Sequence, residues 1–360
     1  GSEMCIRDRL NSFLYLFCIL SVFASCVQKP DSSVEDWNRT FINTKKLISE
    51  ACLDRELILG RPFLIQYVDS SLLIYDDIGD SLFLLVDLKE NDRVYRFGQK
   101  GEGNNEFLQV FAFCNMKSDS ILGVYDAYKH ELREINLDKV KRGEMNFPVV
   151  FKDTLSSIKL SPTKYDAYLG LGFYESNMLS LTDNSIGSKF FFEYPYKDSR
   201  EKAISNRLRG MAYQGTLCSN RSLDKFLYAV CSAPIFMLFS VNKDGIEKTY
   251  ELIGGYPNYV TEETGEYRSA PMSADNKMSF TMAYATDNYI YLLYSGKNFR
   301  DAGMDAFKAN VIYQLSWNGK PINKFETDYP LTNFCVSDND DVLYALADKG
   351  EVELVQYTLK

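Results

Sequence analysis

One histidine, eight cysteines and scattered carboxylates are the groups in this 360-residue chain that could do chemistry. His130 is the only histidine, so a multi-histidine zinc or iron site is impossible. It follows Asp126-Ala127-Tyr128-Lys129 in a connection between strand-like runs. No Gly-x-Ser-x-Gly elbow or other activated nucleophile exists for it to serve, so it reads as an exposed turn residue rather than a general base. A cation held by carboxylates would need Asp126, Glu175, Asp287 or Asp301 to converge on folding, because no spacing singles them out. Asp338-Asn339-Asp340-Asp341 begins like a calcium loop. Val342 already opens a strand where an EF-hand would supply further ligands, so the run reads as a polar turn. The glycines of residues 98–103 lack the Gly-Lys-Ser/Thr of a phosphate loop and read as a tight turn using positive φ. None of these patterns requires a cofactor or a metal.

The chain carries 40 Lys and Arg against 49 Asp and Glu, a net charge of −9. A nucleic-acid binder needs the opposite balance to displace counterions from phosphate, so that class is excluded. Five cysteines follow Cys26, namely Cys52, Cys114, Cys218, Cys231 and Cys335. An odd number, irregularly spaced and without a CxxC pair, is no disulfide framework. Cys218 and Cys231 either face each other across a hairpin or are two small buried hydrophobes.

Residues 10–26, LNSFLYLFCILSVFASC, form an apolar run ending in small residues. The run is short for a bilayer span, which takes about 20 apolar residues, and fits the core of a secretory signal. Its end, Phe23-Ala24-Ser25-Cys26, resembles a bacterial lipobox, with Phe23 where an aliphatic residue is usual. The expectation is cleavage before Cys26 and acylation of its thiol, which makes the lipid bilayer the first partner. An ordinary cleaved signal or an uncleaved anchor is the alternative. Residues 1–9, GSEMCIRDR, read as non-native, residues 1–25 as signal, and residues 26–39 as a lipidated tether.

The elements that must position these groups are strands. From about residue 55 the chain is a succession of short β-runs separated by turn residues. Runs rich in Tyr, Leu and Val centre on residues 74, 123, 169, 228, 291 and 344, which lie 49, 46, 59, 63 and 53 apart. That period suits four strands per unit, as in propeller blades. The expected fold is all-β, a six-bladed β-propeller of four-stranded antiparallel blades over residues 40–360. The fourth blade is assigned residues 210–218, 225–231, 235–241 and 246–253. The sixth has three strands, so an N-terminal segment, residues 40–48 or 52–59, is expected to pair with residues 351–358 and close the ring.

The motif Phe97-Gly98-Gln99-Lys100-Gly101-Glu102-Gly103-Asn104-Asn105-Glu106-Phe107 resembles the G-x-x-G-x-G-P-x-E-F turn of TolB-like six-bladed β-propeller lipoproteins of Bacteroides-type bacteria, with Asn104 in place of proline. The resemblance implies a periplasmic or surface lipoprotein with a binding role, and it carries over no catalytic residue.

In a four-stranded meander the A–B and C–D turns leave one face, and the B–C and D–A connections leave the other. The long connections are residues 98–109, 195–209 and 254–277 (D–A) and 295–309 (B–C), so they should gather on one face, where binding usually resides. Residues 195–209 carry five bases against two acids, a local +3 either drawn to an acidic ligand or simply solvated. The candidate binding face is therefore Lys100, Tyr128, His130, Arg200, Arg207, Arg209, Tyr256, Tyr259, Tyr267, Arg268, Phe299 and Arg300. The expected function is that of a membrane-anchored cell-envelope lipoprotein binding a glycan, peptide or envelope protein there. The rival expectation is a metal-dependent hydrolase or lactonase-like propeller enzyme.

Overall fold

The computed structural model describes residues 34–54, 57–89, 93–183, 187–264 and 267–360. Cys26 and the expected signal lie outside them. Four antiparallel four-stranded meanders follow one another. The first is Pro62–Val68, Ser71–Ile78, Ser81–Asp87 and Arg93–Phe97. The second is Val110–Asn115, Ile121–Asp126, Glu131–Asn136 and Val149–Lys152. The third is Lys159–Pro162, Ala167–Leu171, Leu179–Asp183 and Gly187–Phe191. The fourth is Gly215–Ser219, Lys225–Val230, Ile235–Val241 and Ile246–Ile253.

The fifth and sixth are fused. Phe280–Ala285, Tyr289–Tyr294 and Ala309–Ser316 lead into one long strand, Pro321–Val336, whose first half ends the fifth blade and whose second half begins the sixth. Val342–Asp348 and Val352–Thr358 complete the described C-terminal strands.

Sequence dictates this layering. Middle strands such as Leu72-Leu73-Ile74-Tyr75 and Leu82–Val86 are buried on both faces, so they read as continuous apolar runs. Outer strands such as Gly187–Phe191 are exposed, and a charge such as Lys189 on that edge discourages pairing with another chain.

Three sequence expectations are corrected. Residues 210–212 belong to a helix, Asn206–Ala212, and the strand begins at Gly215. A Cβ there would lie 1.9 Å from the Ala229 carbonyl oxygen, so only glycine lets the two backbones come this close. The segment that pairs with the last strand is neither 40–48 nor 52–59 but Glu50–Ala51, opposite Gln356 and Val355. Thr44–Leu47 instead runs parallel to Lys324–Thr327 on the outer edge of the fifth blade. The fused strand brings two open edges side by side, and one incoming segment serves both, turning where Asp328 accepts from the Ser49 N–H at 3.1 Å and its hydroxyl at 2.9 Å. Third, Val34–Asn38, placed in the expected tether, is a docked helix whose Trp37 is buried.

One core joins the first and sixth blades, with Leu72, Ile74 and Leu84 packed among Phe334, Leu343 and Leu346. Tyr67 stacks on Tyr344 at 5.8 Å, and Asn333 donates to the Phe63 carbonyl at 2.7 Å. No hydrogen-bonded sheet closes on itself among the described residues, and none of their helices is long and apolar enough to cross a membrane.

Candidate functional site

The first strands of five blades line a common cavity of about 70 Å³. Its far half, towards the A–B turns, is laced shut by side chains. The Gln66 amide donates to Asn115 and to the Tyr284 hydroxyl, both at 3.2 Å, and the Asn115 amide donates to the Ser219 carbonyl at 3.2 Å. Arg221, in the A–B turn of the fourth blade, reaches Asp119 at 2.7 Å and the Ser118 carbonyl at 2.8 Å in that of the second. This face is short-turned and cross-braced.

The opposite side is built differently. Residues 195–214 fold into two short helices, Ser199–Lys202 and Asn206–Ala212, capped by Asp198 and Ser205. The Glu201 carboxylate accepts from the Tyr213 and Tyr259 hydroxyls, both at 2.8 Å, and so ties this segment to residues 254–277. Burial, then the bond to Glu201, pushes both phenols well above their ordinary range. Residues 254–277 are fastened in turn to residues 295–309. Asp275 pairs with the Arg300 guanidinium, the Arg300 N–H donates to the Ala274 carbonyl at 2.9 Å, and Lys277 bridges to Asn298.

Three of the four long connections thus form one hydrogen-bonded platform. It carries Tyr256, Val260, Tyr267, Phe299, Met304 and Phe307, six of the thirteen large hydrophobics exposed among the described residues. Such clustering distinguishes this surface from scattered apolar exposure.

The fourth connection, residues 98–109, is fastened instead to the B–C turn of the second blade. Lys129 donates to the Gly103 and Glu106 carbonyls at 2.9 and 2.7 Å. Phe107 is fully buried against Phe83 and Phe147. Gly98 has φ of +74°, and a Cβ there would come within 2.5 Å of the Phe83 ring, so the packing as well as the turn demands glycine. Lys100 faces Asp77 at 3.9 Å, and Tyr128 is 67% exposed beside Phe111. His130 is partly buried with φ of +53° and an Nδ1 that has no partner among the described residues, rather than the freely exposed turn residue expected.

The structure therefore divides the candidate residues. Arg200, Arg207, Tyr256, Tyr259, Tyr267, Arg268, Phe299 and Arg300 belong to the platform, and Lys100, Tyr128 and His130 to the smaller lobe. Arg209 faces no solvent. It is 2% exposed, paired with Glu193 at 2.9 Å and set over the Tyr196 ring at 5.3 Å. Counting Glu193 lowers the local balance to +2, and Arg268 is held by Glu263 at 2.9 Å. Arg200 and Arg207 remain exposed with no ion pair among the described residues.

The carboxylates of the hydrolase reading do not converge. Asp126 is buried and accepts four backbone N–H groups, Asp287 accepts from the Ser222 N–H, and Asp301 accepts from its own helix cap, Asn298. Among the described residues no three His, Cys, Asp or Glu side chains are grouped to hold a metal ion. Asp340 accepts from Thr286 and Tyr291, so the Asp338–341 turn buttresses its neighbouring blade. Cys218 and Cys231 are free thiols. Glu201, which locks the platform, was not singled out in the sequence, because its partner Tyr259 lies 58 residues away.

No curated protein matches this chain. Among solved structures, a Bacteroides fragilis protein assigned as exported aligns with a TM-score of 0.52 at 11% identity, over 87% of this chain and 98% of its own. A DUF4221-family member from Bacteroides vulgatus aligns with a TM-score of 0.52 at 12% identity, over 87% and 96%. These likenesses speak to the fold. At the level of sequence, a family model spanning residues 40–339 matches, and the chain belongs to the TolB-like 6-blade propeller-like family.

Proposed function

We propose that this protein is a cell-envelope lipoprotein, anchored through acylated Cys26, whose six-bladed ring binds a glycan, peptide or envelope protein on the loop platform. Glu50–Ala51, paired with the last strand, and the shared core of first and last blades support a ring joined at its two ends. The observation that carries the binding reading is the platform itself. Three connections from distant parts of the chain are locked together by Glu201 and Asp275, yet leave aromatic side chains uncovered. Exposed aromatic side chains and the exposed Arg200 and Arg207 on the same platform match the aromatic and arginine enrichment of binding hot spots.

The test is binding of the purified domain to envelope extract and to a glycan array. Tyr256→Ala with Phe299→Ala should lower capture at least tenfold, whereas Lys117→Ala on the opposite face should leave it unchanged. Equal binding by the platform variant would overturn the reading. For the anchor, Cys26→Ala should shift the protein from the membrane pellet to the soluble fraction. A diacylglycerol contributes about 0.8 kcal/mol per buried CH₂, so its loss is not subtle. Retention of the variant in the pellet would refute acylation at this cysteine.

A further inference from the structure

The cavity along the axis holds one charged side chain that nothing else accounts for. Of the residues lining it, Lys159 alone is ionisable to a cation. It opens the first strand of the third blade, on the side of the long connections. Phe111, Thr216 and Met282 stand near the same ends of their strands, while the amide lacing of Gln66, Asn115 and Tyr284 closes the other half. The loop-side half is therefore a short pocket with a polar floor and apolar walls of Leu64, Phe111, Phe113 and Met282.

An ammonium has three donors. Here one goes to the Phe111 carbonyl, and the Nζ lies 5.9 Å from the centre of the Phe111 ring. No carboxylate pairs with it among the described residues. Lys159 as a residue is only partly buried, but its ammonium is desolvated within the cavity, and an unpaired charge so placed is costly and is rarely kept without a counterion. Desolvation draws the Lys159 pKa down to about 8, which leaves most molecules charged at pH 7. Thr216 lines the same cavity, and among the described residues its hydroxyl has only the Met282 sulfur at 3.9 Å as acceptor, a weak partner that an anion would displace.

We propose that Lys159 makes the loop-side half of the central cavity a binding site for a carboxylate on a short apolar stem, with the ammonium and the Thr216 hydroxyl taking the two oxygens. The cavity as a whole offers about 70 Å³, which limits the group to acetate or propionate size. Cavity walls rather than platform residues hold it, so the site stands or falls independently of the loop platform.

Thermal unfolding of the full domain in propionate, in chloride of equal ionic strength and in neutral propionamide is the test. Propionate at 100 times its Kd should raise the Tm by about 3 °C over both controls, through mass action on the folded state. Lys159→Met should abolish that gain, and the platform variant Tyr256→Ala with Phe299→Ala should keep it. An equal rise in chloride, or an undiminished rise in Lys159→Met, would overturn the site. Should Lys159→Met not fold, ¹³C-dimethylation of the wild-type lysines provides the second readout. One methyl resonance should titrate near pH 8 and shift on adding propionate, and a resonance that does not move would refute the proposal.

Discussion

Asp126→Ala should destabilise the protein by about 4 kcal/mol, and the damage should fall on the smaller lobe of the loop face. The Asp126 side chain is fully buried. One carboxylate oxygen accepts the N–H of Gln109 at 3.2 Å and those of Tyr128 and Lys129 at 3.1 Å, and the other accepts the Leu108 N–H at 2.6 Å. It thereby clamps the end of the glycine-rich connection to the turn that carries Tyr128 and His130. Each buried donor left without an acceptor costs about 1–3 kcal/mol, and some of the four will find water once the carboxylate is gone. Asp126→Asn separates the contributions. Its remaining oxygen serves the three N–H groups of the first set, while its amide NH₂ faces the Leu108 N–H donor to donor, so roughly half the loss is expected. Denaturant unfolding measures both. Hydrogen exchange should report faster opening at residues 100–110 and 127–130, with Glu201 and its two tyrosines unaffected. A loss below about 1 kcal/mol for Asp126→Ala would show that water replaces the carboxylate and that the clamp is unimportant.

Burial decided which parts of the fold were legible in the sequence. Strands sandwiched between neighbouring blades must be apolar on both faces, and Leu72–Tyr75, Phe226–Val230 and Tyr289–Tyr294 announced themselves as such runs. Asn318-Gly319 was equally plain, because the hairpin needs the positive φ that Gly319 adopts at +77°. The N-terminal pairing was not. Glu50–Ala51 contributes two exposed residues to a sheet edge, too few for any alternation to show. The sidedness of the loops was legible from connection lengths alone, but their mutual fastening was not. It depends on Glu201 meeting Tyr259, and on Arg300 meeting Asp275 from 25 residues away, encounters that only the fold arranges. Arg209 misled for a related reason. In the sequence it is one of five bases in a polar segment, whereas in the fold it points inward at Glu193 and Tyr196. Lys159 went unnoticed in the opposite sense, since a lysine opening a strand is ordinary until the inner strands converge around it.

The second large effect expected is at Trp37, where truncation to Ala should cost about 3–5 kcal/mol and release the N-terminal segment. Trp37 is 5% exposed and is wedged between the fourth and fifth blades. Its ring centre lies 4.8 Å from that of Tyr313, 5.0 Å from Phe41 and 6.0 Å from both Phe236 and Phe280. The short helix around it has little stability of its own, because one turn repays too little of the ordering entropy. Its docking therefore rests on this ring and on Asn38, which accepts from the Tyr313 hydroxyl at 2.8 Å. Behind it come Thr44–Leu47 and Glu50–Ala51, which cover the fifth and sixth blade edges. Losing the wedge should loosen these pairings in turn and uncover strands that can then pair with another molecule. Limited proteolysis should cut Trp37→Ala between residues 34 and 49 well before the blades unfold, and the variant should aggregate faster on warming. Trp37→Phe, which keeps a ring in the wedge and removes an indole N–H that has no acceptor among the described residues, should recover most of the stability. If the alanine variant resists cleavage as well as the wild type does, the N-terminal segment is held by its strand pairings alone, and the ring contacts of Trp37 contribute little.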